Sequence, residues 1–194
     1  DDKLAEISKS LRDHGASRSD HARHNAKAAF LLAEYNMMGF NYRMTDIQGA
    51  LGVTQMQKAP WIQEQRTFRA NRYREMLKDI PWLKLPKVPE GCVHGYQSFV
   101  CLFQPEQPSL KNMEKLNGLR NDMMIELEEK GISTRQGTHA VTTLGFYTKK
   151  YGIRPEEYPN AFLADRLTTT LPLYATMTGA EQDYVVESLR KYKF

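Results

Sequence analysis

The chain reads as an α+β protein: a small, mostly antiparallel sheet packed with helices, preceded by long helices and a loop. Three observations predict this. Residues 96–103 alternate with the period of a strand, Phe99, Cys101 and Phe103 on one face and Tyr96, Val100 and Leu102 on the other. Most other apolar residues recur three or four apart, the spacing of a helix face. Two of those helical stretches open with a capping box, Thr45 with Gln48 and Thr178 with Glu181, in which each residue's side chain serves the other's backbone amide. Helices and strands in this irregular order predict α+β rather than a parallel α/β sheet.

In chain order, Leu4, Ile7 and Leu11 predict a short amphipathic helix ending near His14-Gly15. Residues 16–25 are polar and aperiodic, a loop. Its Asp20, His21 and His24 lack the further ligand that a zinc site on firm elements needs. After the Thr45 box, Ile47, Ala50, Leu51 and Thr54 share a helix face, and Pro60 predicts a break or a new first turn. A second helix follows to Ile80-Pro81, with Trp61, Gln65, Phe68, Arg72 and Met76 on one side, Tyr73 and Leu77 alongside, and Arg66, Arg69, Arg72 and Arg74 as a solvated face. Pro86 and Pro89 make residues 82–88 an edge strand. Residues 116–130 are helical, with Gly131 placed to end the helix left-handed. Residues 132–138 read as extended, 161–167 as a helix, Leu171-Pro172-Leu173 as an extended turn, and the Thr178 box opens a last helix carrying Val185, Val186 and Leu189. Met37-Met38 and Met123-Met124 read as core filler.

Composition narrows the classes. The 194 residues are 41% hydrophobic and 26% charged, an ordinary globular balance. The longest apolar run, residues 28–33, is far short of the about 20 residues of a membrane helix. The net charge of +4 is dispersed, not gathered into the basic stripe that nucleic acid requires. Two cysteines, Cys92 and Cys101, are too few for a disulfide framework or a four-cysteine zinc site, and read as buried or half-buried thiols of a reducing, cytoplasmic compartment. The lack of an initiator methionine leads to the expectation that residues upstream have been removed.

The string Gly39-Phe40-Asn41-Tyr42-Arg43-Met44-Thr45-Asp46-Ile47-Gln48 strongly resembles the signature of the DegT/DnrJ/StrS family, fold-type I aminotransferases of nucleotide sugars that use pyridoxal 5'-phosphate (PLP). Leu11-Arg12-Asp13-His14-Gly15, Gly131-Ile132-Ser133-Thr134-Arg135 and Leu171-Pro172-Leu173-Tyr174 with Met177-Thr178 resemble further family segments in the same order. Gly49-Ala50 departs from the family's usual pair of alanines. The family's serine-rich segment with the PLP-binding lysine has no counterpart here, so no residue of this chain is expected to be catalytic. The resemblance implies residues 1–58 as the end of the large domain and junction with a cross-dimer loop at 39–48, residues 59–194 as the C-terminal small domain, and an absent N-terminal half.

The same resemblance implies the site. PLP supplies the electron sink, while the protein must anchor its phosphate. Asn41 is expected to donate to the phosphate of PLP in the neighbouring subunit of a homodimer formed through the large domain, and Arg43 to serve phosphate or a substrate anion. Arg135 is expected to bind a diphosphate or the amino donor's carboxylate, His139 a sugar hydroxyl or diphosphate, and His14 is a weaker substrate-binding candidate. The implied activity is transfer of an amino group from glutamate or glutamine to a nucleotide-linked keto-sugar, in polysaccharide or antibiotic sugar biosynthesis, the chain alone being inactive. A PLP-dependent sugar dehydratase or a non-catalytic regulatory homologue are the alternatives; nucleic-acid binding is remote.

Overall fold

A computed structural model describes residues 1–17 and 34–194. The loop candidates Asp20, His21 and His24, and the apolar run at 28–33, lie outside the described residues. The chain divides into two compact units, Asp1–Gln57 and Lys58–Phe194.

The first unit opens with α1, Asp2–Leu11, capped by the Asp1 carboxylate, which accepts from Lys3 N and Leu4 N. His14 and Gly15 then take left-handed backbone angles, φ 58° and 80°. This turn lays the chain antiparallel to residues 35–42: Asp13 bridges Asn41 and Ala16 bridges Tyr35. Backbone bonds stitch the crossing, among them His14 N to Phe40 O at 3.1 Å, Phe40 N to Leu11 O at 2.8 Å and Tyr42 N to Arg12 O at 2.8 Å. The crossing demands two glycines. A Cβ on Gly15 would lie 1.8 Å from Met37 O, and one on Gly39 would lie 2.3 Å from Gly15 N. Met37 and Met38 are exposed, not core filler. Backbone pairing rather than side-chain burial holds this stretch.

Helix α2, Asp46–Leu77, begins at the expected box, Thr45 N donating to Gln48 Oε1 at 2.9 Å and Gln48 N to Thr45 Oγ1 at 3.3 Å. It does not break at Pro60 but runs through it, and the boundary between the units falls within it. Proline's fixed φ is helical, and the bond lost is the one to the Met56 carbonyl, on a residue exposed enough for water to satisfy it. Beyond Pro60, Ala70, Tyr73 and Leu77 anchor the helix in the core. Trp61 and Phe68 are exposed instead, Phe68 standing about 140° around the helix from Tyr73 at 3.6 residues per turn.

The second unit holds a four-stranded antiparallel sheet in the order β1-β2-β4-β3, where β1 is Leu83–Lys84, β2 Phe99–Phe103, β3 Arg135–Gln136 and β4 Thr168–Leu171. β2 buries Phe99, Cys101 and Phe103, the face that its alternation predicts. Cys92, by contrast, is exposed in a turn after Pro89 rather than buried beside a strand. Only two residues of 82–88 are in the strand, which ends two residues before Pro86, a residue with no N–H to donate. β4, central in the sheet, is missed by a search for apolar alternation because three of its four residues are threonines, which favour strands by β-branching without being apolar.

Helix α3, Met113–Glu129, ends in a Schellman motif: Ile132 N donates to Leu127 O, Gly131 N to Glu128 O, and Gly131 has φ 74°. Met123 is fully buried and Met124 packs against the core. Two short helices, α4 at Gly145–Tyr151 and α5 at Pro159–Leu167, lead into β4, and α4 is unanticipated in the sequence. Helix α6, Gly179–Lys191, has its capping box and buries Val185, Val186 and Leu189. Three of the four arginines of α2 are fasteners rather than a solvated face. Arg72 reaches Asp183 Oδ1 at 2.6 Å and Gln182 Oε1 at 3.2 Å, Arg66 the Tyr96 carbonyl, and Arg74 the Pro86 carbonyl. Among the described residues no helix is long and apolar enough to cross a membrane, and no group of His, Cys, Asp and Glu is placed to hold a metal.

Candidate functional site

The glycine-tight crossing of the first unit positions Asn41 and Arg43 immediately before the capped start of α2. Asn41 is pinned through its bridge to Asp13. Its side-chain Oδ1 accepts from Arg43 N and from Arg43 Nε, both at 3.3 Å. The oxygen of the amide is thereby turned toward the chain and its NH2 group is left to donate outward from an exposed residue. The Arg43 guanidinium lies 3.3 Å from Asp13 Oδ1, a carboxylate that is itself largely buried. The corner therefore presents amide donors beside an oriented cation next to a helix N-terminus. This donor set suits a dianionic phosphate. Asp13 is the member that sequence reasoning missed: it stood in a quoted motif, but only its neighbour His14 was singled out. His14 is exposed, and what it contributes to the crossing is its left-handed backbone and its N–H.

The other candidates lie in the second unit. Arg135 is on β3, an edge strand, opposite Thr170, and its side chain is exposed. Gly137 follows at a point where a Cβ would meet Val100 Cγ1 at 2.4 Å, so the chain hugs the sheet as it leaves β3. His139, largely exposed, has Nδ1 3.7 Å from Asp165 Oδ1. Asp165, on α5, is 5% exposed and accepts from Gln136 Nε2 and Ala140 N, each at 3.0 Å. It also lies 3.7 Å from Arg166 Nε. Below it the buried Arg120 donates Nε to the Arg166 carbonyl. Burial pulls the Arg120 pKa below that of an ordinary guanidinium, and the charge of Asp165 opposes that pull. Asp165 and Gln136 were not foreseen. The available signal was an acid in the last turn of a helix, where the dipole disfavours it.

The model of the DegT/DnrJ/EryC1/StrS aminotransferase family matches residues 1–190. The spore coat polysaccharide biosynthesis protein SpsC of Bacillus subtilis is 27% identical over 190 residues, 98% of this chain and 47% of that protein. The uncharacterized protein MJ1066 of Methanocaldococcus jannaschii is 28% identical over the same shares. The chain thus spans about half the length of the curated relatives it matches. Among solved structures, the aminotransferase PseC of Helicobacter pylori, involved in the biosynthesis of pseudoaminic acid, has a TM-score of 0.76 at 21% identity, covering 98% of this chain and 46% of that one. Spr1654 of Streptococcus pneumoniae in its PLP-form has a TM-score of 0.77 at 20% identity, covering 97% and 43%. The family match takes in both units and all four motif segments, and the chain belongs to the DegT/DnrJ/EryC1/StrS aminotransferase family.

Proposed function

We propose that this chain supplies the C-terminal half of a PLP-dependent sugar aminotransferase, which moves an amino group from glutamate or glutamine to a nucleotide-linked keto-sugar in the cytoplasm. The observation that carries the reading is the Asp13–Asn41–Arg43 corner, in which Arg43 is held against Asp13 and Asn41 Oδ1 and the Asn41 amide N–H groups are left to donate. In this reading residues 1–58 end the large domain and hold the cross-dimer loop, and residues 59–194 form the small domain. The corner serves the neighbouring subunit of a homodimer.

When bound, PLP supplies the electron sink for amino transfer. The residues of this chain bind and orient. Asn41 donates its amide N–H groups to the cofactor phosphate, and Arg43 adds positive charge there, held in direction by Asp13. Arg135, exposed at the sheet edge, meets a diphosphate or the donor's carboxylate with its guanidinium fork, and His139 hydrogen-bonds the sugar. His14 shapes the corner through its backbone.

The test is an amino-transfer assay on the complete dimer carrying this chain, with keto-sugar nucleotides and glutamate or glutamine. The expected products are an amino sugar and the 2-oxo acid of the donor, with none formed by the 194-residue chain alone. Turnover of the sugar with loss of water and no consumption of amino donor contradicts the reading.

A further inference from the structure

Helix α4 turns its aromatic side to solvent. At about 100° per residue, Phe146, Lys150, Tyr147 and Tyr151 fall within one arc of about 140°, with Thr148 opposite. Phe146 is 65% exposed and Tyr151 59%, whereas Thr148 is half-buried. An amphipathic helix of a closed domain does the reverse, burying its rings and exposing its hydroxyl. Val141, Leu144 and Tyr158, on either side in the chain, are exposed as well. In a unit that otherwise gathers its apolar residues into a core, this is the anomaly that calls for a ligand.

The rings are ordered against one another. Phe146 and Tyr147 meet edge-on with centroids 5.2 Å apart, and Tyr147 and Tyr151 lie 19° from parallel at 6.1 Å. Lys150 Nζ stands 5.4 Å from the Phe146 centroid and 5.3 Å from that of Tyr151. Among the described residues neither Lys150 nor Lys149 pairs with an acid. The helix is also fastened to the loop that carries His139. Ala140 N donates to Asp165 Oδ1 at 3.0 Å, Thr143 Oγ1 to Ala140 O at 2.8 Å and Tyr147 N to Leu144 O at 2.9 Å. The seven residues from His139 to Phe146 span at most about 25 Å fully extended, and the 3-10 turn at Val141–Thr143 shortens that path.

We infer that α4 is the platform for the nucleotide part of the substrate: the base stacks on the exposed rings of Phe146 and Tyr151, and Lys150, with Lys149, meets a phosphate. Charge selects this occupant. Rings alone would suit any apolar surface, but two lysines without an acid beside them favour a flat aromatic group that carries negative charge, which a nucleoside diphosphate is. Stacking on a ring face reads no hydrogen-bond pattern, so the platform takes purines and pyrimidines alike. A sugar at His139 and a base at α4, joined by the diphosphate, engage one continuous stretch of chain. The inference rests on the reading of the substrate as a nucleotide-linked sugar and names the residues that take its base.

The experiment is equilibrium titration of the complete dimer with uridine, thymidine and guanosine diphosphates, and with pyrophosphate as the probe that has no base. The parent dimer is expected to bind the nucleoside diphosphates. The double variant Phe146→Ala with Tyr151→Ala is expected to weaken that binding by about fivefold or more, the size of one base–ring stack, and to leave pyrophosphate unchanged. Unaltered nucleoside diphosphate affinity in the double variant overturns the inference. A second readout needs no variant: acetylation of Lys150, followed by mass spectrometry, is expected in the free dimer and is suppressed by a nucleoside diphosphate. A Lys150 that resists acetylation before any nucleotide is added shows a face covered by protein, and this also overturns the inference. A parent dimer that binds none of the three nucleoside diphosphates contradicts the nucleotide-linked reading itself, an outcome distinct from loss of the platform alone.

Discussion

The two units use their apolar residues in opposite ways. In Lys58–Phe194, Phe99, Phe103, Leu116, Leu167 and Leu189 are fully buried, and the sheet and helices close around them. In Asp1–Gln57, Met38 is 83% exposed, Ile47 84% and Met56 72%, and Leu51 and Met44 are also exposed. The second unit is held by its own core. The first is held by a backbone crossing that only Gly15 and Gly39 permit, and it presents its apolar side chains outward. Among the described residues, helical periodicity signals an amphipathic face in both units but identifies a core only in the second.

The comparison is broken most forcefully in the core. Phe99→Ala is expected to cost about 4 kcal/mol in urea unfolding followed by tryptophan fluorescence, whereas Ile47→Ser is expected to cost no more than about 0.5 kcal/mol there. Equal losses would erase the distinction between the units. Gly39→Ala places a methyl group against backbone at 2.3 Å. It is expected to cost about 1–3 kcal/mol locally, seen as protease cleavage between Asp13 and Arg43 with the unfolding of the second unit unchanged. Arg72→Ala removes bonds to Asp183 and Gln182 and should lower the stability of the second unit by about 1–2 kcal/mol in the same urea assay.

The smallest effect concerns acid. The Thr178 backbone amide, then its hydroxyl and that of Tyr174, hold the Glu181 carboxyl below the usual glutamate range. A depressed folded pKa gives stability that is fully present above the ordinary glutamate value and is lost as pH falls through the depressed one. Thr178→Ala should flatten that acid slope, measured as the urea midpoint between about pH 5 and 3, around the ordinary glutamate value.

What was legible in the sequence was local. The boxes at Thr45 and Thr178, the αL glycine at 131 and the alternation of β2 each depend on residues within a few positions of one another, and all appear in the structure. Tertiary context decided the rest. Pro60 stays helical because the residues beyond it are anchored in the core. Trp61 and Phe68 lose the core to Ala70, Tyr73 and Leu77, whose stripe includes a small residue that lets α2 approach closely. β4 hides in its threonines. Among the candidate site residues, the motifs point to Asn41, Arg43, Arg135 and His139, but not to Asp13 beside Arg43 or Asp165 beneath Gln136. Asp13 and Asp165 face partners 28 to 30 and 26 to 29 residues away, separations that no local pattern carries.

The central claim is that Asn41 and Arg43 hold the cofactor phosphate, and PLP affinity tests it most directly. In the complete dimer, Asn41→Ala is predicted to weaken PLP binding by about tenfold or more in an equilibrium titration followed by cofactor absorbance, the loss expected of a hydrogen bond to a charged phosphate. An Asn41→Ala dimer that is intact and binds PLP as tightly as the parent would contradict the account.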